Sequence, residues 1–207
     1  GIALAVLPGD DRADDRLAEY GTVPVACAEA LLAYFQAGGV ENMRRLLAGI
    51  TAVLPASRSD AGRQTGPGHS AFYRSLPRPL PLPSLFALGP DATPLPWGEA
   101  LAALPVERSL VPVLLYRSSV GAGDTAMGEA IAAALAERGH VPLILALTSL
   151  KDPTVTGELT TMIAARKPAL IVTTTGFSAR DGADFVLDVA DCPVLQAMPV
   201  GSARDAW

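Results

Sequence analysis

Residues 114–140 read LLYRSSVGAGDTAMGEAIAAALAERGH, and this stretch decides the fold of the C-terminal half of the chain. An apolar run comes first, followed by an arginine, two serines and two glycines, and then by a long alanine-rich segment. This order predicts a buried strand that leads into a helix, the repeating unit of a parallel sheet. Glycines and hydroxyl groups at such a turn also raise the question of whether it binds a phosphate.

Four apolar runs, rich in leucine or β-branched residues, follow one another from about residue 109 onward. Helix-compatible segments lie between the earlier runs, and this βαβ rhythm is typical of a parallel sheet with flanking helices. We therefore predict a Rossmann-like α/β domain over 109–207. Its predicted strands are 111–115, 141–147, 170–174 and 194–197, and its predicted helices are 124–138 and 154–166.

The first 54 residues predict a smaller strand–helix–helix part that belongs to a preceding α/β unit. An apolar run at 2–7 predicts a buried strand. Because the chain opens directly in this run and without a methionine, we expect it to be a piece of a longer protein. Apolar residues at helical spacing predict one helix over 25–36 and a second from about Glu41. The predicted buried face of the first helix consists of Leu31, Leu32 and Phe35.

A proline-rich segment separates the two parts. Half of the 18 prolines of the chain lie between Pro55 and Pro96. Proline breaks regular helix and favours extended or polyproline structure. We therefore predict that residues 55–108 form a Pro-rich connector.

The composition excludes several kinds of partner. Half of the residues are apolar and 18% are charged, with a formal net charge of -5, so the chain can bury a core. An acidic chain lacks the basic face by which proteins bind nucleic acids and anionic membranes. Every apolar run also ends before the ~18 residues that a membrane span requires. We expect a soluble cytoplasmic protein with neither nucleic acid nor membrane as its partner.

The few cysteines and histidines predict no metal site. Cys27 and Cys192 are far apart in apolar contexts, which is typical of core residues in a reducing compartment. His140 falls between a helix and a strand, and His69 falls in a Gly- and Pro-rich loop. No spacing of His and Cys resembles a transition-metal site.

The glycine-rich turn formally fits a dinucleotide-binding fingerprint. Residues 121–126, GAGDTA, match the pattern G-x-G-x-x-G/A. However, residues 117–120 separate the strand from the first glycine, and no acidic residue ends the second strand where a ribose would bind. A Walker A loop is excluded because no G-K-[ST] follows. A purely structural role is also open, in which the glycines permit a tight turn and Asp124 caps the helix.

Arg117 is not explained by a structural turn. It follows a parallel strand at the carboxyl edge of the sheet, where doubly wound sheets bind ligands, and an anion is the ligand that it would attract. Hydroxyl and aromatic residues after the third and fourth predicted strands would share this edge. We predict a ligand-facing rim with no catalytic residue and no metal ligand, made of Arg117, Ser118, Ser119, Asp124, Thr175, Phe177, Ser178 and Gln196.

Several motifs together resemble one family. These are residues 111–153, then IVTTTGFSA and CPVLQAM, and, nearer the N-terminus, LAVLPGDDRADDRLAEY and YFQAGGVENMRRLL. They are similar to the large subunits of aerobic cobaltochelatases and, more distantly, of magnesium chelatases. The resemblance is poorest in the connector. There, PSLFALGPD lacks the histidine of the Gly-Tyr-His-Pro-like turn found in magnesium chelatases, which favours cobalt.

The resemblance implies a function for a longer parent protein. Such a parent inserts cobalt into hydrogenobyrinic acid a,c-diamide during cobalamin biosynthesis, and its partners are the corrinoid substrate and ATPase motor subunits. ATP and cobalt would serve the parent complex, with none bound by this segment, which would be inactive alone. The residues leave three alternatives open: a magnesium chelatase large subunit, an independent small-molecule-binding α/β domain, and a nucleotide-dependent enzyme.

The resemblance also gives Arg117 a specific ligand. A corrinoid carries ionised acetate and propionate arms, and a guanidinium binds a carboxylate through two parallel hydrogen bonds. Ser118, Ser119 and the start of the following helix would complete the anion site, while Phe177 would offer an apolar surface to the macrocycle. The alternative is that Arg117 pairs with Asp124 or another acid and only braces the turn.

Overall fold

A computed structural model of the chain describes residues 4–9, 14–53, 76–176, 185–198 and 200. The chain divides into two compact units, of which one ends at Pro81 and the other begins at Leu82. The units are described separately below.

The N-terminal unit contains two helices, as the sequence predicts. They are α1 (Val25–Ala37) and α2 (Val40–Val53), and a 3-10 helix (Asp15–Tyr20) precedes them. Helix α1 ends at Gly38, whose φ of 63° favours glycine and whose N–H donates to the Tyr34 carbonyl.

The buried face of α1 differs from the predicted one. Cys27, Leu31 and Tyr34 are buried, whereas Phe35 is 55% exposed. The buried residues follow a spacing of four and three, so the buried face includes Leu31 as predicted and is centred away from Phe35, which lies at its flank. The Tyr34 hydroxyl donates to the Pro77 carbonyl, so the ring is buried while its polar atom keeps a partner.

The predicted strand at 2–7 is not found where the structure describes it. Residues 4–7 form no strand, and residues 2 and 3 lie outside the described residues. The Leu4 N–H donates to Thr22 Oγ1 (2.8 Å), and the Leu4 carbonyl accepts from the Thr22 N–H (2.8 Å). These hydrogen bonds join Leu4 to the loop before α1.

The C-terminal unit is built on a six-stranded sheet. Its strands in chain order are β1 (Leu85–Leu88), β2 (Pro94–Leu95), β3 (Leu110–Tyr116), β4 (Val141–Leu147), β5 (Ile171–Thr173) and β6 (Val194–Gln196). They lie in the order β2-β1-β4-β3-β5-β6. The last four are parallel to one another, as predicted, whereas β1 is antiparallel to both of its neighbours.

Four helices accompany these strands. They are α3 (Trp97–Ala102), α4 (Arg117–Ala122), α5 (Ala126–Glu137) and α6 (Pro153–Ala165), and short 3-10 helices lie at Pro90–Ala92 and Val186–Ala190. The two predicted helices correspond to α5 and α6. Helix α6 begins where Asp152 accepts the Thr154 N–H (2.9 Å) and Pro153 takes the first helical position. The α/β fold with a mostly parallel sheet and flanking helices is therefore confirmed.

Residues 82–108, which the sequence assigns to the connector, belong to the sheet unit. Strand β1 carries Phe86, which is 1% exposed, and pairs with β4 over three residues. Pro94 lies in β2, the outermost strand on this side, where a missing N–H costs no sheet hydrogen bond. The prolines therefore flank short strands here and do not only form a linker.

The sheet has a core on each of its faces. On one face, Leu114 and Leu145 pack with Leu159 and Met162 of α6. On the other face, Val113 and Val172 pack with residues of α5, namely Ile131 and Leu135. Alternate residues of each strand supply the two cores, as the pleat of a strand requires.

Two arginines hold the loop between α3 and β3. The Arg166 Nη2 donates to the carbonyls of Pro105 (2.5 Å) and Arg108 (2.8 Å). The Arg108 guanidinium donates in turn to the carbonyls of Gly139 (2.9 Å) and His140 (3.2 Å). Two side chains thereby satisfy four backbone oxygens, two in the loop between α3 and β3 and two in the turn between α5 and β4.

Candidate functional site

The carboxyl edge of the parallel strands carries the predicted rim residues. Strands β3 and β5 are neighbours, with Leu114 opposite Thr173. Arg117 directly follows β3, and Thr175 lies two residues beyond β5. The topology thus brings these two residues to the same edge, as the sequence predicts.

A helix stands where the sequence predicts a glycine-rich turn. Helix α4 begins at Arg117 immediately after β3, and Gly121 lies inside it. Gly123, with φ of 75°, ends the helix and donates its N–H to the Val120 carbonyl (3.0 Å). Val120 is buried against Phe86 and Ala146, and this burial stabilises a helix that contains little strong helix former.

Asp124 does not cap the next helix. Thr125 holds the N-cap position of α5 and is buried, and its hydroxyl donates to Glu129 Oε1 (2.6 Å). Asp124 is exposed, and its N–H donates to the Ser119 carbonyl (2.8 Å). The predicted cap is wrong because α4 and its C-terminal turn move the start of α5 beyond Asp124.

Arg117 braces the unit through a backbone oxygen. Its Nη1 donates to the Leu82 carbonyl at 3.0 Å, and the side chain is half-buried. Among the described residues, neither Asp124 nor any other acid forms an ion pair with Arg117. One N–H of the guanidinium is used in this bond, and a guanidinium has five.

The two serines beside Arg117 differ in exposure. Ser118 is exposed and Ser119 is half-buried. Both lie in the first turn of α4, which has only six residues. The serines therefore share the edge with Arg117, but the helix is too short to add a strong anion site.

Three consecutive threonines end β5 in a buried hydrogen-bond network. Thr173, Thr174 and Thr175 are all about 5% exposed. The hydroxyls of Thr173 and Thr175 lie 2.8 Å apart, and the Thr174 hydroxyl donates to the Leu114 carbonyl (3.0 Å). Gln196 Nε2 donates to the Thr175 carbonyl (2.9 Å). The structure brings Thr175 and Gln196 together, but the Thr175 hydroxyl is hydrogen-bonded to Thr173 and the Gln196 amide to the backbone of Thr175.

The remaining rim residues cannot be placed. Phe177 and Ser178 lie outside the described residues. Among the side chains that the structure does describe, no buried nitrogen or oxygen atom lacks a hydrogen-bond partner. The buried polar groups of the described rim residues thus have their hydrogen-bond partners within the protein.

A second polar network at the same edge was not identified from the sequence. The Thr148 hydroxyl, directly after β4, donates to Asp152 Oδ2 (2.7 Å). This hydrogen bond is the largest of the causes that hold the pKa of Asp152 below its usual value, and the second is the hydrogen bond from the Thr154 N–H. The signal that could have found it is Asp-Pro at residues 152–153, a common helix start.

An apolar groove of about 470 Å³ lies beside β1 and β2, at the edge of the sheet farthest from β6. Residues of β1, β2, α3 and α6 line it, chiefly prolines and Trp97. The Trp97 indole N–H donates to Glu158 Oε2 (2.9 Å) at its wall. This groove could not be predicted from the sequence because its residues come from separate segments.

Neither cysteine has the surroundings of a reactive thiol. Cys27 is buried and Cys192 is half-buried, and burial raises the pKa of both thiols. Across the described ranges, no group of three or more His, Cys, Asp or Glu side chains is placed to hold a metal ion. In those same ranges, no helix is long and apolar enough to cross a membrane.

The fold and the polar sheet edge together define a class of protein. The C-terminal unit is a Rossmann-like α/β domain. Polar side chains at the carboxyl edge of its parallel strands, such as Arg117, Thr174 and Gln196, donate hydrogen bonds to backbone carbonyls. Its described residues contain neither a metal-ligand cluster nor a glycine loop for phosphate.

Comparisons with known proteins then identify the family. The profile of the CobN/Magnesium Chelatase family matches residues 32–207, so the chain belongs to that family. It is 31% identical over 209 residues to the aerobic cobaltochelatase subunit CobN of Sinorhizobium sp., a match that covers 99% of this chain. It is also 31% identical to the protein of the same name from Pseudomonas aeruginosa, over the whole of this chain.

A solved structure agrees with these matches. The catalytic subunit of cobaltochelatase from Mycobacterium tuberculosis is similar to 96% of this chain, with a TM-score of 0.62 and 25% identity. The chain spans 16% of the length of both curated relatives and 16% of that solved chain.

Proposed function

We propose that the chain is part of the large, tetrapyrrole-binding subunit of an ATP-dependent aerobic cobaltochelatase that acts in the cytoplasm. The observation that carries this proposal is the match to two cobaltochelatase subunits along 99% and 100% of the chain. The solved relative, a cobaltochelatase catalytic subunit, supports the same parent.

In this proposal the whole subunit inserts cobalt into hydrogenobyrinic acid a,c-diamide during cobalamin biosynthesis. Insertion requires a base that removes pyrrole protons and ligands that deliver the metal. The described residues offer no cluster of such groups. In this proposal the chain contributes a scaffold, and other parts of the subunit supply this chemistry. Separate ATPase motor subunits hydrolyse ATP.

The rim around Arg117 is the part of this chain that we propose contacts the corrinoid. The bond to Leu82 fixes the guanidinium while leaving further N–H groups for an ionised carboxylate arm. Ser118 is exposed beside it and can donate to the same arm. Asp124, also exposed, would set a limit on how many carboxylates the rim accepts, because like charges repel.

The test is metal insertion by the full-length subunit with its ATPase partners. In the presence of cobalt, we expect an ATP-dependent loss of free hydrogenobyrinic acid a,c-diamide, which is measured by its absorbance spectrum. We expect no insertion of magnesium into protoporphyrin. The matched controls omit ATP or use the 207-residue chain alone, which should insert no cobalt. Magnesium insertion instead of cobalt insertion would assign the parent to the other branch of the family, and cobalt insertion by the 207-residue chain alone would contradict its scaffold role.

A further inference from the structure

The segment that links the two units alternates proline with other residues. Residues 77–82 read PRPLPL, and Pro83 follows directly. These six residues are the strap. A proline fixes its own φ and restricts the residue before it to extended conformations. Almost every backbone torsion of the strap is therefore restricted, so the strap is a stiff spacer with little slack.

The helices of the N-terminal unit hold the strap at Leu80. Asn42 of α2 is buried, and its amide binds both backbone groups of Leu80: Oδ1 accepts from the N–H (2.9 Å) and Nδ2 donates to the carbonyl (2.8 Å). The same Nδ2 donates to the Gly38 carbonyl (2.7 Å). The Tyr34 hydroxyl donates to the Pro77 carbonyl. Asn42 thus fixes Leu80 to the end of α1.

The sheet unit holds the strap at Leu82, the first residue of that unit. The Leu82 side chain packs against the cluster that contains Phe86, and its carbonyl accepts from Arg117 Nη1 (3.0 Å). Only Pro81 separates Leu82 from Leu80. The strap is therefore anchored twice, two residues apart, and each anchor belongs to a different unit.

We infer that Asn42 is a positioning residue for the rim around Arg117. Through the stiff strap, it limits the movement of the Leu82 carbonyl to which Arg117 is hydrogen-bonded. Each anchor keeps the other near its partner at high effective concentration, so the loss of one weakens the other. This inference rests on the proposed function, in which Arg117 binds a carboxylate arm of the corrinoid.

The coupling between the two anchors is reciprocal. A corrinoid that binds Arg117 more tightly when Leu82 is held also stabilises the contact between Asn42 and Leu80, by thermodynamic linkage. The N-terminal helices thus contribute to corrinoid affinity through the strap. If Asn42 only tied Leu80 to α1, neither anchor would respond to changes in the other.

Amide hydrogen exchange in the full-length subunit tests the coupling without any ligand. The Leu80 N–H exchanges only when its bond to Asn42 opens. We expect Arg117→Ala, which releases the Leu82 carbonyl, to speed exchange at Leu80 by about fivefold or more, as measured by mass spectrometry with electron-transfer fragmentation. Arg138→Ala, which removes another hydrogen bond to a carbonyl, is the control and should not change it. Equal rates at Leu80 in wild type and Arg117→Ala would overturn the inference.

Pro81→Gly tests the stiffness of the strap and leaves both anchors in place. Proline has no N–H and Pro81 is exposed, so the substitution removes no hydrogen bond and leaves no cavity. Glycine adds backbone freedom between the anchors. We expect corrinoid affinity of the full-length subunit to fall by about fivefold or more, as measured by fluorescence titration. Pro105→Gly, at an exposed proline in the loop after α3, should leave affinity unchanged.

Asn42→Ala should lower corrinoid affinity through the same path. Combined with Pro81→Gly, it should add little further loss, because both substitutions act through Leu80. Leu31→Ala removes a buried side chain of α1 and is the control for lost stability in the N-terminal unit. An equal loss of affinity in Leu31→Ala and Asn42→Ala would mean that Asn42 acts only through stability, and the inference would be wrong.

These readouts separate the inference from the proposed function. If the wild-type subunit binds no corrinoid, the proposed function fails, while the exchange rate at Leu80 still decides whether the two anchors are coupled. If wild type and Pro81→Gly bind the corrinoid equally well, the proposed function stands and the positioning role of Asn42 is refuted.

Discussion

At the scale of single residues, Arg117 links two distant parts of the chain by one hydrogen bond. Its Nη1 is bound to the Leu82 carbonyl, which lies 35 residues earlier in the chain. The sequence predicts the position of Arg117 at the sheet edge because strand order and hydrophobic pattern determine it. It does not predict Leu82 as the partner, since that contact depends on where β1 enters the sheet.

Arg117→Lys in the full-length subunit separates corrinoid contact from bracing. A lysine can keep one hydrogen bond to Leu82 but cannot bind a carboxylate through two parallel bonds. We expect corrinoid affinity to fall by about 10- to 100-fold, as for the loss of one charged hydrogen-bonding group, with an unchanged melting temperature. Fluorescence titration and thermal melting measure the two effects.

Arg138→Lys is the matched control for this substitution. Arg138 also donates to a backbone carbonyl, that of Ala134 at 2.7 Å, but it lies at the end of α5. It should leave corrinoid affinity unchanged. If Arg117→Lys lowers the melting temperature and leaves affinity intact, Arg117 serves only as a brace.

At the scale of elements, Gly128 allows α5 to approach β3 closely. A Cβ atom at this position would lie 2.6 Å from Leu115 Cδ1 and 3.2 Å from its Cγ. Leu115 is 2% exposed, so its side chain has little room to move. In nucleotide-binding folds, the third glycine of the fingerprint allows the helix to pack closely on the strand. Here Gly128, two residues beyond Ala126, allows that contact.

Gly128→Ala and Gly157→Ala should change stability in opposite directions. Both glycines lie inside helices, where alanine is favoured by about 1 kcal/mol, but a Cβ at Gly157 would meet nothing within 4 Å. We expect Gly157→Ala to raise the melting temperature by about 2–4 °C. Gly128→Ala should lower it, because overpacking costs about 1–3 kcal/mol.

A second substitution tests the cause of the Gly128 effect. In a Leu115→Ala background the overlap is removed, so Gly128→Ala should then be stabilising, as measured by calorimetry. A loss of stability that persists in this background would show that the close approach to Leu115 is not the reason.

Asp152 should stabilise α6 in a pH-dependent manner. Its pKa is lowered by the Thr148 hydroxyl and the Thr154 N–H, so the folded state favours the ionised carboxylate. The stabilisation is complete above the unfolded-state pKa of about 3.9 and is lost as pH falls through the lower folded value. Asp152→Ala should lower the melting temperature by about 2–4 °C at pH 7, and this difference should shrink below pH 4.

Glu107→Ala is the control for that experiment. Glu107 is exposed in the loop after α3 and should change the melting temperature little at either pH. A difference between wild type and Asp152→Ala that stays constant down to pH 2 would mean that the carboxylate charge contributes nothing.

The hydrophobic pattern of the sequence predicted the four parallel strands, including the short β5 and β6, and the two long helices, but it did not predict β1 or α4. Strands β3 and β4, seven residues each, are continuous apolar runs, and α5 and α6 have regular spacing over more than ten residues. Strand β1 has four residues between prolines, and α4 has six with a glycine inside. Both elements are stabilised by burial of a side chain against β4, Phe86 from β1 and Val120 from α4. Such long-range contacts cannot be predicted from the local propensity of the residues.

At the scale of the whole molecule, the boundary of the sheet unit can be tested with two polypeptides. Residues 82–207 include β1, whereas residues 109–207 correspond to the domain predicted from the sequence. The shorter polypeptide lacks Phe86, and removing one such buried ring costs about 3–5 kcal/mol of a total stability of about 5–15 kcal/mol. We expect cooperative melting by circular dichroism for 82–207 and none for 109–207. Equal transitions in both would place the boundary at residue 109.

Arg108 and Arg166 also make an exposed loop a poor protease substrate. Trypsin needs an arginine side chain that enters its specificity pocket and a backbone that extends through its active site. The Arg108 guanidinium is instead bound to the carbonyls of Gly139 and His140, and the carbonyl that would be attacked accepts a hydrogen bond from Arg166. Cleavage after Arg108 must therefore wait for local unfolding that breaks all three bonds. The loop is exposed to solvent but protected from trypsin. Its rate of cleavage should therefore depend on the stability of the sheet unit to which these hydrogen bonds attach it.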